Sequence, residues 1–169
     1  MTVKIVTDST ADLPPKVAQE LGITVVPLNV HFGTETYRDG QDISADEFYK
    51  RLVSGPILPK TSAPSPGTFK DVYDKLAGNA DGIVSIHISS KLSATCDAAL
   101  AGKREAGDKC RIEVINSNTV SLAIGFLVIA AARAAKSGAT VDETVKLVQD
   151  SISRASLIGA LDTLESRHA

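Results

Sequence analysis

Three times in this chain a short run of β-branched residues ends on a cluster of hydroxyl, carboxylate or carboxamide side chains, and a helix-forming segment follows. The runs are Val3 to Thr7 before Asp8-Ser9-Thr10, Asp81 to Ile88 before Ser89-Ser90, and Arg111 to Ile115 before Asn116-Ser117-Asn118. A strand that turns directly into a helix returns the chain along the sheet, so the next strand lies parallel to the first. The expected fold class is therefore α/β: a mostly parallel sheet with helices on both faces. In such sheets ligands settle beyond the carboxyl ends of the strands, where loops vary and helix N-termini aim free N–H groups. Ser89, Ser90, Ser93 and Thr95 stand at that place, in the run Ile-Ser-Ser-Lys-Leu-Ser-Ala-Thr.

Local signals place the remaining elements. Pro14 and Pro15 open a helix that runs through Leu21 and that Gly22 stops. Ile23 to His31 reads as a single edge or bulged strand, because Pro27 lacks the N–H a central ladder needs. Tyr37, Asp39 and Gly40 read as a turn. Ser44 is expected to cap a helix over Ala45 to Leu52, with Glu47 completing a capping box. Ser54 to Pro66 carries four prolines, which forbid regular helix or central strand, and a segment of this length points to a functional loop. Helices are expected from Ser65 and Pro66 to about Leu76 and from Leu92 to Glu105. A further one covers the apolar stretch that Asn116-Ser117-Asn118 caps and Gly138 ends, and a last one, Val141 to Ile152, follows a cap at Thr140. Ser156 to Leu164 reads as one more strand.

A chain of 169 residues suits one domain with a sizeable core, and 43% hydrophobic with 22% charged residues is neither disordered nor fibrous in composition. The formal net charge is −2 with scattered Lys and Arg, so there is no basic stripe and nucleic acid is not an expected partner. Cys96 and Cys110 are too far apart for a metal knuckle or a Cys-x-x-Cys pair and read as reduced packing residues. The greasiest stretch, Val120 to Ala132, is broken by Ser121 and Gly125 and is shorter than the roughly 20 apolar residues of a membrane span. The N-terminus turns polar too early for a secretion signal, so a cytoplasmic protein is expected.

The chemistry turns on whether the polar strand ends are helix caps or a site. Ser, Thr, Asp and Asn are the preferred N-caps, and each cluster alone could be only that. Ser89 to Thr95, however, offers more hydroxyls than one cap uses, and Thr61-Ser62 lies among prolines with no helix directly behind it. Hydroxyls and N–H groups without an adjacent cation suit a small anionic head held by hydrogen bonds. No metal is expected, since His31, His87 and His168 have no ligand spacing. No Gly-x-Ser-x-Gly elbow and no phosphate loop occur, so neither nucleophilic catalysis nor a nucleotide cofactor is expected. Asp8 could accept a phosphoryl group, but Thr10 stands where a second carboxylate would be needed. Lys91 reads as a solvated surface lysine.

Six motifs in order carry a more specific signal: Ile5-Val-Thr-Asp-Ser-Thr-Ala-Asp-Leu-Pro14, Val26-Pro-Leu28, Tyr37-Arg-Asp-Gly40, Lys60-Thr-Ser-Ala-Pro-Ser-Pro66, Ile88-Ser-Ser-Lys-Leu-Ser-Ala-Thr95 and Leu161-Asp-Thr-Leu-Glu165. Together they resemble the DegV family of bacterial fatty-acid-binding proteins over almost the whole chain. The resemblance implies a carrier, not an enzyme, that holds one long-chain fatty acid and presents it to a separate ATP-dependent fatty-acid kinase subunit, which makes acyl phosphate for phospholipid synthesis. Carried over by position, Thr61 and Ser93 are the head-group donors, while Ser62 and Ser90 support their loops. The acyl tail would lie in an apolar slot between this domain and a second one, each buried CH₂ contributing about 0.8 kcal/mol.

The sequence departs from the family pattern in carrying Ala63 where Gln is usual, Ala94 where Gly is usual, and Asn116 where Asp is usual. Ala94 adds a methyl group beside the expected site. Family members also continue for about another domain, which opens with a Gly-Gly-Arg-Ile stretch and supplies a His and an Arg to the head group. The expected organisation is thus an N-terminal lipid-binding domain over residues 1–154 and the first strand of a second domain over 155–169. Left without its sheet, the Ser156 to Leu164 strand would invite a homodimer. Two rival readings stay open: a phosphocarrier or phosphotransfer enzyme using a strand-end Asp or Ser, and a fold whose hydroxyls are only caps.

Overall fold

The computed structural model of the protein describes residues 2–55 and 57–160. Four parallel strands, β1 (Val3–Asp8), β2 (Ile23–Val26), β6 (Gly82–His87) and β7 (Arg111–Asn116), form the main sheet in the order β2-β1-β6-β7. Their registers pair Ile5 with Ile23 and Val84, and His87 with Asn116. The ends of β1, β6 and β7, which carry the three polar clusters, therefore lie side by side.

Alternation along these strands builds two cores. Val6 and Ile83 face α3 (Pro66–Ala77) and α4 (Thr95–Ala106), where Phe69, Tyr73 and Ala99 are fully buried. Ile5, Val84 and Ile86 face the other way, toward α1 (Pro15–Leu21), α5 (Leu122–Lys136) and α6 (Val141–Ile152), which bury Ala18, Ile124, Val128 and Val148. Helices thus cover both faces, as the fold class requires. Gly125 belongs to α5 for a steric reason: a Cβ there would lie 2.7 Å from the Ala11 carbonyl oxygen of the short 3-10 helix Ser9–Ala11. No helix among the described residues is long and apolar enough to cross a membrane.

Several sequence expectations hold at the residue level. Gly22 ends α1 in the left-handed region, Ser65 Oγ accepts from Thr68 N–H ahead of α3, and Thr140 with Glu143 forms a reciprocal capping box. Others need correction. Ile23 to His31 is not one strand: at Pro27 and Leu28 the chain leaves β2 and enters β3 (Asn29–Phe32), which lies between β4 (Glu35–Arg38) and β5 (Lys60–Ser62) in a second, antiparallel sheet. Tyr37 is not in a turn but in β4 (Glu35–Arg38), and the proline-rich loop contains the three-residue edge strand β5 (Lys60–Ser62). Short edge strands tolerate flanking prolines because one side of the ladder is free.

The helix α2 (Ala45–Ser54) has the Ser44 cap, but Glu47 turns to Arg51 at 2.8 Å, so only half of the expected box forms. Helix α4 begins at Thr95, not Leu92, because Leu92 and Ser93 N–H groups close a turn on the Ser89 carbonyl. Asn116-Ser117-Asn118 does not cap α5, whose N-cap is Ser121. Residues 155–160 form no strand. The rest of the expected Ser156 to Leu164 strand, and with it the Leu161 to Glu165 motif, lies outside the described residues.

Candidate ligand-binding site

The carboxyl end of the main sheet is organised from below by a buried polar chain. Tyr73 OH donates to Ser85 Oγ at 2.9 Å, Ser85 Oγ lies 2.6 Å from His87 Nε2, and His87 Nδ1 lies 2.9 Å from Asp8 Oδ2. The same Asp8 oxygen accepts Ile88 N–H at 3.1 Å, while Oδ1 accepts from Thr10 N–H and the Thr10 hydroxyl. All four members of the chain are 0% exposed. Burial alone would push the Asp8 carboxyl up, but the His87 hydrogen bond and its attraction, with the Thr10 and Ile88 donors, outweigh it and hold the carboxyl below the usual range. Asp8, His87 and Ser85 are in contact like a catalytic triad, yet Ser85 is sealed in the core and no substrate can reach it. Asp8 is equally sealed, with both oxygens occupied, which removes its carboxylate from phosphoryl chemistry.

Above this floor lies the hydroxyl loop. Ser89 is buried, with its N–H donated to the Thr119 carbonyl, and Ser90 is tied to β7 in both directions. Asn116 Oδ1 accepts Ser90 N–H at 3.3 Å and Asn116 Nδ2 donates to Ser90 Oγ at 2.7 Å. Half-buried Ser93 lies 2.9 Å from Thr95 Oγ1 and accepts Thr95 N–H at 3.3 Å in a local turn just ahead of α4, whose N-cap is Ala94. Ala94 is exposed beside it.

The other two expected residues belong to the small sheet, and there the strand geometry separates them. Register pairs Thr61 with Val30 and Ser62 with Asn29, and neighbouring side chains on a strand point to opposite faces. Ser62 Oγ lies 2.9 Å from His31 Nε2 and accepts from Asn29 Nδ2 at 3.3 Å, while His31 Nδ1 reaches Thr36 Oγ1 at 2.9 Å. A clasp of side chains thus crosses β4, β3 and β5 on one face, and Thr61 stands on the other. Among the described residues no hydrogen bond joins Thr61 or Ser62 to Ser90 or Ser93. The alternation of Asn29 and His31 within a Val-rich run was the available signal for this clasp, and it was hidden while residues 23–31 read as one strand.

An apolar track starts at the hydroxyl loop. Leu92, 64% exposed, lines a hollow of about 370 Å³ with Val120, Ile152 and Leu157. A second hollow of about 480 Å³, walled by Leu122, Phe126 and Leu127, shares Ala155 and Leu157 with the first. Phe126, 70% exposed, and Leu122, 51% exposed, are large apolar side chains turned outward from a helix whose other face lies in the core. A larger hollow of about 760 Å³ lies between Leu13, Pro15, Ile23, Val25 and Gln41. None of the four expected residues lines any of these three hollows; Leu92 is the member of the hydroxyl loop that reaches one. Among the described residues no cluster of three His, Cys, Asp or Glu is placed to hold a metal ion. Burial pushes the Cys96 thiol up, which makes it a poor nucleophile.

A family model described as "Uncharacterised protein, DegV family" matches residues 2–166. The chain belongs to the DegV family. It is 37% identical over 165 residues to a DegV domain-containing protein of Deinococcus radiodurans and 40% identical over 163 residues to one of Caldanaerobacter subterraneus, covering 98% and 96% of this chain. It spans 58% of the length of each of these relatives. Among solved structures it resembles the fatty acid binding DegV protein of Bacillus subtilis, with a TM-score of 0.86 and 31% identity over 90% of this chain and 54% of that one. A stearic acid-binding protein of Eubacterium ventriosum gives a TM-score of 0.81 at 30% identity, over 87% of this chain and 52% of that one.

Proposed function

We propose that this DegV chain is a lipid carrier that binds a long-chain fatty acid, with the carboxylate at Thr61 and Ser93 and the acyl tail on the apolar track of Leu92, Leu122 and Phe126. The observation that carries this reading is the position of Leu92. It belongs to the hydroxyl loop and also lines the first of two hollows that share Ala155 and Leu157. A polar head and an apolar tail of one ligand are thereby served by adjacent surfaces. The fatty acid and stearic acid binding ascribed to the related solved structures supports the same ligand class.

The donors suit the head group. Ser93 and Thr61 are neutral hydroxyls that can donate to a carboxylate, and tail burial at about 25 cal/mol per Å² supplies affinity without an ion pair. Ser90 and Ser62 have their hydroxyl oxygens engaged by Asn116 and His31 and act on their own segments. A carboxylate held at the rim of a sheet is presented outward, which suits transfer to a separate ATP-dependent kinase subunit that forms the acyl phosphate. No step of that reaction needs a catalytic group from this chain.

Titration of the chain with stearate, followed by calorimetry, tests the reading. Thr61→Ala and Ser93→Ala are each expected to weaken binding about tenfold while leaving the melting temperature within a few degrees. Unchanged affinity in both variants would remove these residues from the site. Phosphorylation of the chain itself by ATP or acetyl phosphate would instead favour the phosphocarrier reading.

A further inference from the structure

We propose that His31 is the positioning residue for the Thr61 half of the site, acting through Ser62. This rests on the reading that Thr61 is a head-group donor. Strand β5 has only three residues, all exposed, and pairs on one side with β3 alone. A strand so short and unburied is weakly held by its ladder, since neither packing nor a second neighbour adds to the few backbone bonds. What it has in addition is the clasp on its inner partner.

The hydrogen-bonding inventory closes the clasp in either imidazole tautomer. Asn29 Nδ2 donates to Ser62 Oγ and also reaches the Ala63 carbonyl at 3.4 Å, which leaves the Ser62 proton available to donate. In the tautomer with the proton on Nδ1, His31 Nε2 at 2.9 Å accepts from Ser62 and Nδ1–H donates to Thr36 Oγ1; in the other tautomer both directions reverse and the same two contacts remain. One imidazole, with one donor and one acceptor nitrogen, ties the edge strand to the hairpin beyond it. Because side chains alternate along β5, fixing Ser62 against His31 fixes Thr61 on the opposite face, across from Val30. Ser62 is therefore a link in the positioning of Thr61 and not a second head-group donor.

The test combines hydrogen exchange on the unliganded chain with stearate titration. In His31→Phe, which keeps a ring but makes neither hydrogen bond, the amides of residues 60–62 are expected to exchange about tenfold faster while those of β1 and β6 are unchanged, the fold-change of one net hydrogen bond. His31→Gln, whose amide can both accept and donate, restores the slow exchange. Ser62→Ala cuts the same clasp from the other strand and gives the same acceleration. For stearate, His31→Phe and Thr61→Val each weaken binding about tenfold, and the double variant is no weaker than Thr61→Val alone, because both act through one hydroxyl. Unchanged exchange over residues 60–62, or additive losses in the double variant, overturns the proposal. Faster exchange in a chain whose wild type takes up no stearate upholds the clasp and overturns the fatty-acid reading instead.

Discussion

Two histidines stand behind the two halves of the proposed site, in opposite surroundings. His87 lies 0% exposed between Asp8 and Ser85, with Phe69 edge-on to its ring at 5.1 Å. His31 makes an equal number of hydrogen bonds, to Thr36 and Ser62, but on a solvent-facing side of a three-stranded sheet. A hydrogen bond is worth about 1 kcal/mol net where water can replace it, whereas a buried partner left unpaired costs its full desolvation. The same side-chain chemistry therefore makes a rigid floor under the Ser93 loop and a soft clasp behind Thr61. In the proposed site one half would thus rest on the core and the other on hydrogen bonds open to solvent.

The largest effect should come from breaking the buried half. Asp8→Ala leaves His87 Nδ1–H and Ile88 N–H without an acceptor and is expected to lower the unfolding free energy by about 3–5 kcal/mol, read from urea denaturation. The pH dependence follows with a definite sign. Because the Asp8 carboxyl is held below its unfolded value, its contribution is complete above the ordinary carboxylate range and is lost as pH falls through that range and below. Wild type and Asp8→Ala should therefore converge in stability on acidification and diverge at neutral pH; a constant gap would contradict the assignment.

Gly102→Ala comes next. A Cβ there would meet Phe69 Cβ at 2.6 Å and the Pro66 carbonyl oxygen at 2.7 Å, prising α4 from α3 and moving Phe69 off His87, at a cost of about 1–3 kcal/mol. Tyr73→Phe removes only the outer donor of the chain and should cost about 1 kcal/mol, with Ser85 still able to donate to His87. At the small end, His31→Phe is expected to change global stability by no more than about 0.5 kcal/mol, its effect confined to residues 60–62. A global loss as large as that of Asp8→Ala would erase the distinction between the two halves.

The main sheet was legible because its strands are bounded by polar clusters that also serve as helix signals. Ser65, Thr140 and Gly22 mark their helix ends in sequence as plainly as in space. The small sheet was not, because its information is non-local. Pro27 breaks a run that looks continuous, and β5 exists only through pairing with β3, 33 residues away for Asn29 and Ser62. Ser90 and Ser93 could be located at the end of β6 from sequence, and Thr61 and Ser62 in the proline-stiffened segment. That Ser62 turns away from Thr61, and that His31 and Asn116 engage the supporting serines, depends on register, which no local pattern near those serines encodes. The Asp8 to Tyr73 chain is harder still, since it joins β1, β6 and α3.

The most direct measurement is mass spectrometry of the purified chain, first under native and then under denaturing conditions, with stearate added to a parallel sample. A bound mass that leaves on unfolding and fragments as a fatty acid, or that appears once stearate is supplied, is the expected result. A chain that carries no acid and takes up none when stearate is supplied would contradict the fatty-acid reading.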